Sequence, residues 1–132
     1  MMGEHKLKLI LGILLVFLGT NVCFADFNWK LLIETVNGDK YFIDLSSIQK
    51  RNQMRNYTRL RDYAITDSNG ENSSIVFIET NCEDQTARFL KDFYFKGNMA
   101  EGEYVVLEER GDWQKFKSGS IGESFTKFVC SQ

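Results

Sequence analysis

Arg55, Tyr57, Arg59, Arg61 and Tyr63 occupy every second position of the stretch 54–66. In an extended strand such residues share one face. Three guanidinium forks interleaved with two phenols suit planar oxyanions, so the chemistry offered is recognition of a sulfated glycan or an acidic patch on another protein. The plainer use of the same residues is a solvated sheet face, with arginine stems covering apolar surface. The opposite face carries Met54, Asn56, Thr58, Leu60, Asp62 and Ala64. That set is only weakly apolar, so alternation leaves open which face is buried.

Other chemistries lack their residues. The single histidine is His5, in an N-terminal segment expected to be removed. Ser-His-Asp and Cys-His catalysis and histidine-ligated zinc are then excluded. The glycines are scattered and form no phosphate-cradling loop. No acidic calcium loop occurs. Glu108 and Glu109 are neighbours in a strand-like run and so point to opposite faces, while Glu83 and Asp84 fall in a polar turn. These acids read as solvated groups rather than a paired acid–base set. The expectation is a non-enzymatic chain with no cofactor and no metal.

Two cysteines, Cys82 and Cys130, lie beyond the N-terminal segment. In an exported chain the simplest arrangement joins them, and the long loop they would close gives on the order of 4 kcal/mol. Two separate buried thiols are the alternative. No Cys-x-x-Cys redox motif is present.

Export itself is read from residues 1–25. Lys6 and Lys8 precede an apolar run over 9–18, and a short exit ends in Ala25. That is the layout of a secretory signal peptide, with the domain beginning at Asp26. The run is about half the length a membrane-spanning helix needs. A lipidated Cys23 is the competing option, but Val22 is a poor residue directly before such a cut. No transmembrane anchor is expected after processing.

The elements that must position the stripe follow from periodicity. Trp29, Leu31 and Ile33 alternate, Asn37-Gly38-Asp39 forms a turn, and a second strand follows over 40–45. Asp44, Ser46 and Ser47 supply side-chain oxygens to cap a short turn through residues 48–50. Strands are then expected over 54–66, 74–82, 86–96 and 104–108, each bounded by polar or glycine-containing turns. Ile121, Phe125, Phe128 and Val129 fall on one helical face, and Ser120 with Glu123 matches a capping box. The predicted fold is α+β: about six strands in an antiparallel meander, with a C-terminal helix, in one domain over 26–132. The chain has 132 residues and a formal net charge of −2, which suits one globular domain and not a general nucleic-acid binder.

The order of these features resembles the surface-adhesin protein E family of exported bacterial proteins. The residues that carry it are Trp29, Tyr41-Phe42-Ile43-Asp44 with Ser46-Ser47-Ile48, then Met54-Arg55, Leu60 and Asp62-Tyr63. They continue with the strand from Ser73-Ser74 to Cys82, Trp113, and Gly119-Ser120 leading to Cys130. The resemblance implies an antiparallel sheet, a C-terminal helix and a disulfide between Cys82 and Cys130. It implies an exported, non-enzymatic binding domain, at the cell surface, in the periplasm or secreted. Its partners would be host extracellular-matrix or serum proteins, and the resemblance allows a homodimer. The alternative is a periplasmic accessory or structural protein without a host ligand.

Overall fold

A computed structural model describes residues 26–108 and 110–132. The expected signal peptide, residues 1–25, lies outside the described residues. Strand β1 (Trp29–Glu34) turns through Asn37-Gly38-Asp39 into β2 (Lys40–Asp44). Gly38 sits at φ +94°, a conformation that suits glycine. Asp44 then accepts the Ser46 N–H at 3.0 Å and caps a 3₁₀ turn, Leu45–Ser47.

The chain after that turn differs from expectation. Gln49–Arg51 forms a short strand, β3, antiparallel to the start of β4 (Met54–Asp62). Strand β2 pairs with the other end of β4. Between them the Thr58 N–H is satisfied by the Ser47 hydroxyl at 2.9 Å, so the 3₁₀ turn bridges the gap in the ladder. Strand β4 stops at Asp62 rather than residue 66, because Asp39 captures the Ala64 N–H at 2.8 Å.

Strands β5 (Ser73–Asn81), β6 (Thr86–Phe95) and β7 (Tyr104–Glu108) continue the meander. A two-residue β8 (Gln114–Lys115) pairs with the start of β6. The sheet therefore has eight strands, in the order β1-β2-β4-β5-β6-β7, with β3 and β8 off that path. All pairings are antiparallel. Sheet dominates the molecule far more than the expected α+β balance.

Two irregularities shape it. Leu32 is an extra residue opposite β2, and Leu90 an extra residue opposite β5, between the pairs Phe77–Lys91 and Ile78–Phe89. A bulge shifts the inward parity of a strand by one. Along β6, Asp92 and Tyr94 consequently share a face with Phe89 and Ala87.

Both faces are buried in part. On one, Leu60, Ile75, Phe93 and Phe95 form a core flanked by Phe27, Trp29, Phe42 and Phe77. On the other, Tyr41, Ile43, Tyr57, Val76, Ile78 and Ala87 pack with Phe125 and Val129 of helix α1 (Ile121–Cys130), the one α-helix among the described residues. Ser120 accepts the Glu123 N–H at 3.2 Å, while the Glu123 carboxylate reaches back to the Gly119 N–H at 3.0 Å. The predicted cap is thus present with its return bond one residue earlier. That bond, the first cause of the shift, holds the Glu123 carboxyl below the usual carboxylate range. Gly122 lies against the Phe116 ring; a Cβ there would be 2.4 Å from its nearest carbon. The disulfide Cys82–Cys130 joins the end of β5 to the end of α1, with Cα atoms 5.6 Å apart across 48 residues.

Candidate functional site

Strand register sets out the site as rows across the helix-side face. One row runs Ile43, Arg59, Val76, Asp92; the next runs Tyr41, Arg61, Ser74, Tyr94. Helix α1 covers the neighbouring Tyr57–Ile78–Phe89 row and ends its cover at Arg59. What stays open is a cleft of about 150 Å³ lined by residues of these rows together with Tyr63 and Phe89.

The five residues of the expected stripe do share this face, but their surroundings differ. Tyr57 is 3% exposed and its ring stacks on Phe125 at 5.9 Å. It is core, and burial pushes its hydroxyl pKa well up. Arg55 is at the far end, donating to the carbonyls of Asn52 and Met54 at 2.7 and 2.9 Å. Arg59, Arg61 and Tyr63 alone reach the cleft.

Arg59 is the unusual group. Its guanidinium lies 5.3 to 5.6 Å from the ring centres of Phe89, Phe125 and Tyr41. Such stacking stabilises a cation that has lost water. Among the described residues no carboxylate comes within ion-pair distance, and its buried Nε has no hydrogen-bond partner. Burial lowers its pKa, with the charges of Tyr57, Tyr41 and Asp92 opposing that fall.

Arg61 is held differently. It donates through Nε and Nη2 to the same Asp39 oxygen, at 3.0 and 2.7 Å, and its guanidinium stands 4.8 Å from the Tyr63 ring centre. Burial of Asp39 works against its ionised form. The Ala64 N–H and Arg61 outweigh that cost and hold the carboxyl below its ordinary range. The site is therefore braced from the β1–β2 turn. Burial raises the Tyr63 and Tyr94 hydroxyls, so both phenols stay protonated donors. The cleft presents one stacked guanidinium, a second that is already paired, the phenols of Tyr41, Tyr63 and Tyr94 and the Ser74 hydroxyl, with Asp92 at its wall. It can accept one small oxygen-rich group by hydrogen bonding.

Sequence reasoning missed Tyr41, Ser74, Phe89, Asp92 and Tyr94 at this site. Tyr41 and Ser74 follow from register once Arg61 is fixed between them. Asp92 and Tyr94 do not, since the Leu90 bulge hides their facing from alternation. Among the described residues no group of metal-ligating side chains gathers, and no helix is long and apolar enough to cross a membrane.

Comparison with known proteins adds the lineage. No curated protein matches the chain. Solved structures of Haemophilus influenzae protein E share the fold. A second crystal form aligns with a TM-score of 0.61 at 14% identity, covering 78% of this chain and 87% of that one. The protein from a non-typeable strain aligns with a TM-score of 0.58 at 14% identity, covering 81% and 79%. The family model described as "Surface-adhesin protein E" matches residues 29–131, from the first strand to just past the disulfide, and the chain belongs to the surface-adhesin protein E family.

Proposed function

We propose that this chain is an exported, non-enzymatic binding domain of the adhesin type. The Arg59–Arg61 cleft would receive a carboxylate or sulfate group of a host matrix or serum protein, or of a sulfated glycan. The observation that carries the reading is Arg59: a desolvated cation stacked on three rings, its Nε unpartnered, at the wall of an open cleft. An incoming oxyanion would bring a countercharge to the Arg59 guanidinium where it lines the cleft. The volume suits one such group at a time, so affinity for a polymer would come from many weak contacts. Family membership supports the adhesin role, and the disulfide suits an oxidising compartment.

The test is retention on immobilised heparin and on immobilised plasma proteins, for the unaltered protein and for Arg59→Gln, with circular dichroism as the folding control. Retention that falls at least about tenfold in the variant and weakens above about 0.15 M salt is expected. Equal retention of both proteins would remove the cleft from the binding surface. No retention of either would favour a periplasmic accessory role.

A further inference from the structure

The Arg59–Arg61 cleft has neighbours on its face. Arg61 and Tyr63 also line a second recess of about 200 Å³, which extends to the β1–β2 turn and is completed by Asn37, Ala64, Ile65 and Asp67. On the other side Tyr94 is shared with a third recess of about 340 Å³ that includes Glu71, Lys96 and Glu103. A chain-like ligand with one group at Arg59 lies over one or both of these neighbours.

Neither neighbour suits a second anion. The bases lining the three recesses are Arg59, Arg61 and Lys96, and the acids are Asp39, Asp67, Asp92, Glu71 and Glu103. Arg61 is taken up by Asp39 at 2.7 Å, and Lys96 donates to the Asn69 carbonyl at 2.8 Å. Among the described residues of this face, Arg59 alone is a base held by aromatic rings without an ion pair or hydrogen bond. Asp67 accepts the N–H groups of Asn69 and Glu71 at 2.9 and 2.8 Å, which fixes its carboxylate in place. Three bases thus meet five acids. A polymer with an anion on nearly every unit gains one contact at Arg59 and meets like charge on both sides of it.

The second recess offers an apolar contact instead. Ile65 is 79% exposed there, beside exposed Ala64 and Tyr63. Its loop is tied down on both sides: the Ala64 N–H donates to Asp39 at 2.8 Å, and the Asp67 N–H to the Glu71 carbonyl at 2.9 Å. An apolar side chain presented by a fixed loop loses little freedom when it is covered.

Resting on the cleft reading above, we propose that the ligand is a protein segment and not a sulfated glycan. One aspartate or glutamate carboxylate reaches Arg59, an adjacent aliphatic side chain covers Ile65, and the residues on either side carry no further anion.

The probes are end-blocked pentapeptides with leucine-glutamate-leucine, leucine-glutamine-leucine, alanine-glutamate-alanine or three glutamates between glycines, and a heparin tetrasaccharide. Amide chemical shifts report affinity and place. At low salt the leucine-glutamate-leucine peptide is expected to bind at least about tenfold more tightly than the glutamine peptide, the triple glutamate or the tetrasaccharide, and its lead over the two polyanions should shrink as salt screens their repulsion. Arg59→Gln should erase the preference for glutamate over glutamine. Ile65→Ser should weaken the leucine-glutamate-leucine peptide about fivefold, the loss of one partly buried aliphatic contact, and leave the alanine peptide little changed. Dichroism spectra of both variants should match the parent. Binding of no probe, or affinities indifferent to Arg59→Gln, would remove the cleft reading and this inference with it. Binding that is lost in Arg59→Gln but is as tight for the tetrasaccharide or the triple glutamate would keep the cleft and overturn the choice of partner. So would an Ile65→Ser protein that binds the leucine peptide as its parent does.

Discussion

Gly122→Ala sets two effects of opposite sign against each other. Alanine is the better helix former by up to about 1 kcal/mol, and less so in a first turn. Against it stands Phe116. The new Cβ would lie 2.4, 2.5 and 2.6 Å from three atoms of that ring, far inside contact distance. The nearest atoms include Cγ, close to the backbone, so the whole ring must move and its packing on Phe89 loosens. Overpacking of this kind costs about 1–3 kcal/mol. The net expectation is destabilisation by about 1 kcal/mol, in spite of the propensity gain. In a Phe116→Ala background the obstacle is gone and the same substitution should stabilise by about 0.5 kcal/mol. The double-mutant cycle should therefore report a coupling of about 1.5 kcal/mol. Urea unfolding followed by tryptophan fluorescence and circular dichroism supplies the four free energies. A Gly122→Ala protein more stable than its parent, or the same increment in both backgrounds, would refute the steric reasoning.

Replacing both Cys82 and Cys130 with serine should cost about 4 kcal/mol, the chain-entropy value for a closed loop of this length, and steepen the urea dependence as the unfolded chain expands. Amide exchange should show α1 opening before the sheet in that variant. Asp39 has a carboxyl pKa below its ordinary value of 3.8. Its stabilisation is complete above that value and is lost as pH falls through the lower folded value. Asp39→Asn should thus cost about 1–2 kcal/mol at neutral pH, discounted for the half-exposed Arg61. It should also flatten the acid limb of a stability–pH curve below about pH 4; an unchanged acid limb would count against the role assigned to the carboxylate.

Legibility in the sequence followed physical period. The six long strands and the helix announce themselves because a half-buried strand alternates and Ile121, Phe125, Phe128 and Val129 recur at helical spacing. Strands β3 and β8 are three and two residues long, too short for any alternation to register. The stripe on β4 was visible as a set sharing a face, but not its division into a core tyrosine, a stacked arginine and an ion-paired one. That division depends on where α1 stops, which no pattern within β4 encodes. Asp39 reads as a turn residue and is one; its second use, bracing Arg61, arises only when residues 22 positions apart meet.

The extra residue at Leu90 makes chain length adjustable at one point of β6. Losing it would restore an unbroken ladder in which Phe89 still faces Ile78 and Lys91 still faces Phe77. The sheet's two cores would keep their members, so the fold tolerates either length. The distance between Phe89 and Asp92 would not survive the change, and these two residues stand on the same wall of the cleft. A one-residue deletion there is a dial on the width of the recess, turned without disturbing the architecture that carries it.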